Sequence, residues 1–93
     1  MDFSPFAVGG AATRSDSFTK LRPEFASGVY RMVQDARAAG VPLEITSAYR
    51  SPDLQAQLFD DAVVKYGSPE AARKFVAPAG RSQHNFGTAV DFA

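Results

Sequence analysis

The sequence predicts an α+β domain, because helix-like and strand-like stretches follow one another in separate blocks instead of alternating as repeated βα units. Two observations carry that reading. Ser-Pro-acidic triplets at 51–53 and 68–70 are strong helix starts, and the stretches 43–49 and 88–92 have the alternation and β-branched content of short strands.

Residues 1–20 combine Gly9-Gly10 with small and scattered polar residues and no sustained period, so they are read as an irregular arm or linker ahead of a domain at 21–93. Pro23 opens the first helix. Phe25, Val29, Met32, Val33 and Ala36 then recur at the spacing of one helical face, and Gly40 supplies the stop. In LEITSAY, Leu43, Ile45 and Ser47 alternate with Glu44, Thr46 and Ala48, which predicts a strand ending near Tyr49-Arg50. Ser51-Pro52-Asp53 starts a second helix with Leu54, Leu58, Ala62, Val63 and Tyr66 on one face, ended by Gly67. Ser68-Pro69-Glu70 starts a short third helix through AARKFV, which stops before Pro78. Thr88 to Phe92 reads as a second strand, entered through Gly87. Phe59, Phe86 and Phe92 are assigned to the core.

Ten Lys plus Arg balance ten Asp plus Glu, with no long run of either sign, so neither nucleic acid nor an anionic membrane surface is an expected partner. No stretch approaches the ~20 apolar residues of a membrane span, and the N-terminus lacks the basic and apolar regions of a secretory signal. Cysteine is absent, so disulfides and thiolate metal sites are excluded and any transition metal must be held by nitrogen and oxygen.

His84, the single histidine, precedes Asp91 with Gly87 between them. On one straight strand they would stand roughly 23 Å apart at ~3.3 Å per residue, too far to share an ion. A turn at Asn85-Phe86-Gly87 allows imidazole and carboxylate to approach one point, as a zinc site requires.

Ser82, His84, Gly87, Ala89 and Asp91 fit the pattern Ser-x-His-x-x-Gly-x-Ala-x-Asp, and ITSAYRSPDLQ upstream places Tyr49, Arg50, Ser51 and Gln55 in a second block. In both blocks, and in the opening KLRPEF and AAGVPLEI, the chain resembles the superfamily of D-alanyl-D-alanine carboxypeptidases and L-alanyl-D-glutamate endopeptidases over about residues 21–93. The resemblance implies a small antiparallel sheet with helices packed on it, of the hedgehog-like D-Ala-D-Ala metallopeptidase type. It implies Zn2+ as cofactor with His84 and Asp91 as ligands, Arg50 binding substrate or steadying the oxyanion, and Gln55 supporting the catalytic site. Ser82 is a candidate substrate contact, and its hydroxyl also suits the turn before His84. The implied partner is the peptide stem of peptidoglycan, acted on in the cell wall or periplasm or from a virion. Likeness of SQHNFGTAVDF favours the endopeptidase branch, and the lack of a secretory signal makes a phage-type route, as an endolysin or tail-associated protein, one way for it to reach the wall.

The superfamily continues past the strand carrying Asp91 to a second motif with a catalytic carboxylate and another histidine ligand, whereas these residues stop at Ala93. Zinc normally takes three protein ligands in a catalytic site, and no spacing singles out Glu24, Glu44, Asp53, Asp60, Asp61 or Glu70 as the third. The sequence is therefore read as the N-terminal part of a peptidase domain, truncated after Asp91 and completed by a missing C-terminal segment or another chain. The alternative is a catalytically inactive module that binds cell-wall peptide or builds a larger, phage-like assembly.

Overall fold

Pro at the first helical position fixes the start of three helices in the computed structural model, which describes residues 1–93. Helix α1 spans Gly9–Thr13, α2 Pro23–Ala38, α3 Pro52–Tyr66 and α4 Pro69–Ala72. The Ser51 hydroxyl accepts from Leu54 N–H at 3.1 Å and the Ser68 hydroxyl from Ala71 N–H at 3.2 Å, so both Ser-Pro-acidic starts are true caps. Strands β1, Ile45–Ser47, and β2, Asp91–Phe92, pair antiparallel with Ile45 opposite Phe92 and Ser47 opposite Asp91. Single 3-10 turns lie at Ser4–Phe6 and Gln83–Phe86.

The α+β architecture is as the sequence predicts, with shorter strands. A strand keeps its ladder only where a neighbour answers it, and β2 has a partner on one edge alone. Helix α4, expected from sequence to run through AARKFV, likewise closes at Ala72, and Arg73 to Val76 continue as backbone turns, with Val76 N–H donating to the Ala72 carbonyl at 2.9 Å.

Residues 1–20, read from sequence as an irregular arm or linker, carry helical structure and enter the core. Phe3, Phe6 and Ala11 are buried with Leu21, and Phe3 stacks on Phe18 with ring centroids 4.4 Å apart. Tyr30 of α2 meets Phe3 edge-on at 5.2 Å, which ties the segment to the helix behind it. Val8 N–H donates to the Ile45 carbonyl at 2.9 Å, so residues 7 and 8 flank β1 on the edge opposite β2. The aromatic residues at 3, 6 and 18 have no common period, which is why periodicity did not reveal them.

Helix α2 buries Ala26, Val29 and Val33, a stripe rotated from the expected one, and Met32 is left 43% exposed. Met32 and Phe25 instead border an apolar groove of about 530 Å³ against Val90 and Phe92. Phe86 and Phe92, assigned to the core from sequence, are both exposed, Phe92 beside this groove.

If the N-terminal segment is structural, truncating its central aromatic should cost as much as a core deletion. Phe3→Ala is expected to lower unfolding free energy by about 3 kcal/mol or more. Urea denaturation checks this: a loss below about 0.5 kcal/mol would mark the segment as a dispensable arm.

Candidate functional site

Gly87 makes the site possible. It adopts φ 72°, and a β-carbon there would stand 2.6 Å from the Lys20 carbonyl oxygen and 3.0 Å from Arg22 N. Both the left-handed backbone and the close approach demand glycine. Arg22 N–H donates to the Gly87 carbonyl at 3.0 Å, which fixes the turn onto the start of α2. The chain thus reverses at the point that the His84–Asp91 spacing requires.

The Ser82 hydroxyl caps the 3-10 turn by accepting from His84 N–H at 3.2 Å. His84 is 8% exposed, and its Nδ1 lies 2.7 Å from the Ala48 carbonyl at the end of β1. A carbonyl only accepts, so Nδ1 carries a proton, and in the neutral ring Nε2 is the nitrogen with the lone pair. That lone pair faces Asp91, with Nε2 and Oδ2 3.3 Å apart. Two donors at about 2.05 Å from one tetrahedral zinc ion stand about 3.3 Å from each other. The separation therefore suits two corners of such an ion, and the fixed tautomer leaves the correct nitrogen free to bind it.

Arg50 closes the other side. Its Nε donates to Gln55 Oε1 at 3.0 Å, its Nη1 donates to Ser47 Oγ at 3.2 Å, and Nη1 lies 3.6 Å from Asp91 Oδ2. Burial pulls the guanidinium below its ordinary pKa, the Asp91 carboxylate pulls it back up, and Arg14 adds to the lowering. Arginine starts so far above neutrality that the group stays charged. Its 3.6 Å contact with Asp91 is an ion pair without hydrogen-bond geometry, and Asp91 is half exposed, so the pairing is easily exchanged for another anion or cation.

Gln55 is 1% exposed and donates from Nε2 to the Ala77 carbonyl at 2.6 Å while accepting from Arg50. It therefore links the guanidinium to the segment after α4. Asn85 does similar work behind His84: its Nδ2 donates to the Arg50 carbonyl at 2.7 Å and its Oδ1 accepts from Gly80 N–H at 3.0 Å.

The five residues singled out in the sequence come together around one cavity of about 430 Å³. Arg50, His84 and Asp91 form its polar side, and Leu58, Phe75 and Val76 lie on its apolar side. Sequence reasoning missed Ser47 and Asn85, whose partners are fixed only by the tertiary fold. No three His, Cys, Asp or Glu side chains converge as a complete metal-ligand set.

Residues 18–93 match the sequence profile of the VanY family, described as D-alanyl-D-alanine carboxypeptidase. This chain belongs to the VanY family. YodJ of Bacillus subtilis (strain 168), assigned as a carboxypeptidase, is 36% identical over 73 residues, which are 78% of this chain and 26% of YodJ. A vancomycin-resistance D,D-pentapeptidase VanY variant solved in complex with Zn(II) is 29% identical, with a TM-score of 0.69 over 77% of this chain and 45% of that one. The LdcB LD-carboxypeptidase, whose structure concerns peptidoglycan recognition, is 31% identical, with a TM-score of 0.73 over 92% of this chain and 40% of LdcB. The VanY-family chain described above thus spans about a quarter of YodJ and less than half of either solved relative.

The Gly87 turn gives a direct test of how the VanY-family motif is held. Gly87→Ala introduces a disfavoured φ and a backbone clash, and about 2 kcal/mol or more of stability should be lost. Thermal unfolding measures the loss, and an unchanged midpoint would show that the reversal does not need glycine.

Proposed function

We propose that these residues form part of a zinc-dependent carboxypeptidase that hydrolyses the peptide stem of peptidoglycan at the cell wall. The observation that carries the reading is the His84 Nε2–Asp91 Oδ2 separation of 3.3 Å, with Nδ1 of the same ring committed to the Ala48 carbonyl. Two nitrogen and oxygen donors at tetrahedral spacing, one with its tautomer fixed, form a partial zinc site. The third ligand and the general base would come from residues outside this chain's 93.

Bound zinc would supply Lewis acidity, enough to make a water molecule nucleophilic near neutral pH. The remaining work falls to the chain's own side chains. Arg50, held in plane by Gln55 and Ser47, would orient a substrate carboxylate or the oxygen of the scissile carbonyl, a task suited to a planar, always charged fork. His84 and Asp91 would hold the ion at the mouth of β2. Ser82 lines the same cavity, and its hydroxyl hydrogen remains available to a peptide carbonyl while its oxygen orders the turn. The carboxypeptidase description of the family and the LD-carboxypeptidase name of one solved relative favour removal of a terminal residue over the endopeptidase cut suggested by the motif alone.

Zinc titration of the purified chain by calorimetry tests the partial site. Weak, near-equimolar binding is expected in the wild type, and both His84→Ala and Asp91→Ala should weaken it at least about tenfold. Binding that survives both substitutions would place the ion elsewhere and remove this reading. Zinc binding without hydrolysis, even after the chain is extended to the full length of its relatives, would instead favour a peptide-binding module that lacks catalysis.

A further inference from the structure

Arg14 lies in the N-terminal segment, ahead of the residues 18–93 that match the family profile. It is half-buried, and no carboxylate neutralises it, since the ion pairs of the chain, Arg50–Asp91 and His84–Asp91, both belong to the site already described. A side chain at a helix end leans back over the preceding turn, and Gly10 stands four residues before Arg14 at the start of α1. A β-carbon on Gly10 would lie 2.8 Å from Arg14 Nη1, 3.1 Å from Cζ and 3.2 Å from Nη2. The guanidinium therefore rests in the space left by the missing side chain of Gly10, held against α1.

This held cation belongs to the same end of β1 as Arg50. The Arg14 carbonyl accepts from Ser17 N–H at 3.3 Å, and the Ser17 carbonyl accepts from Tyr49 N–H at 2.8 Å, so two hydrogen bonds separate Arg14 from the residue before Arg50. Val8 N–H donates to Ile45, which seats the start of α1 beside the strand that carries Ser47. Lys20 Nζ adds a third positive group, 6.0 Å from the centroid of the Tyr49 ring. Burial is the main reason the Arg50 guanidinium sits below its ordinary pKa, and the charge of Arg14 adds to the lowering, so the two cations share one field.

Asp91 is the carboxylate paired with Arg50, and in the proposed function it turns to the metal ion. Arg14 and Arg50 then present two placed positive charges with no anion of the chain between them. We infer that Arg14 is a second anion-binding residue, which takes a further carboxylate of a peptide whose first carboxylate or carbonyl oxygen reaches Arg50. The inference rests on the peptide-binding reading above and adds to it a charge requirement on the ligand. A planar fork suits a carboxylate, and a fork already held in place loses little freedom when the ligand arrives. On a half-exposed edge such a contact is worth about fivefold in affinity.

The test follows amide shifts in NMR titrations of the chain with two probes. One is acetyl-L-alanyl-γ-D-glutamyl-L-lysyl-D-alanine with the glutamate α-carboxylate free, and the other is the same peptide with that group as its carboxamide. Both present the same terminal carboxylate to Arg50, so their affinity ratio isolates the second charge. Wild type should prefer the free acid by about fivefold. Arg14→Gln should bring the ratio close to one, Arg14→Lys should keep most of it because the charge remains, and Arg50→Ala should weaken both peptides together. A preference that is missing in the wild type, persists in Arg14→Gln or vanishes in Arg14→Lys overturns the role of Arg14 and leaves the proposed function standing. Failure of the wild type to bind either peptide overturns both.

Discussion

The α-carbon of Gly87 lies against the backbone of Lys20 to Arg22, and that contact decides where everything after it can go. A side chain at this position would push the turn away from α2, and the following residues would no longer return alongside β1. Because the turn is seated, Asp91 arrives opposite Ser47, and its carboxylate faces the ring of His84 across the reversal. The ring is aimed by a carbonyl at the end of the same strand. One close backbone approach thus orders the histidine, the aspartate and, through the strand end, the arginine.

Charge in this small site is balanced without burying it fully. Arg50 is mostly enclosed and satisfied by neutral partners, Gln55 and Ser47, while Asp91 faces water. Neutral partners anchor the guanidinium without neutralising it, so its charge stays available to an incoming anion. The carboxylate, half exposed and held by a long ion pair with Arg50 beside the His84 ring, can turn to a cation at little cost. The arrangement suits a site that must exchange partners.

Much of this was legible in local sequence. Ser51 and Ser68 cap helices because a hydroxyl followed by proline and an acidic residue has few other low-energy uses, and Gly87 between His84 and Asp91 announced a reversal. The N-terminal segment was not legible, because Phe3, Phe6 and Phe18 find partners only in three dimensions and follow no period. Strand ends and the exposure of Phe86 and Phe92 also escaped, since both depend on which neighbours lie alongside. Gln55 stood out by resemblance alone; its tie from Arg50 to Ala77 depends on the return of a segment more than a helix away.

Strand β1 receives Val8 N–H on one edge and Ala93 N–H on the other, at Ile45 and Glu44. Both partners come from far along the chain, so neither bond can form until a long loop has closed, and loop closure is an entropic cost met before the contact rewards it. The central strand is consequently a meeting point for segments distant in sequence. His84 and Asp91 meet across the same strand end, so their side chains come together only after those distant segments have closed.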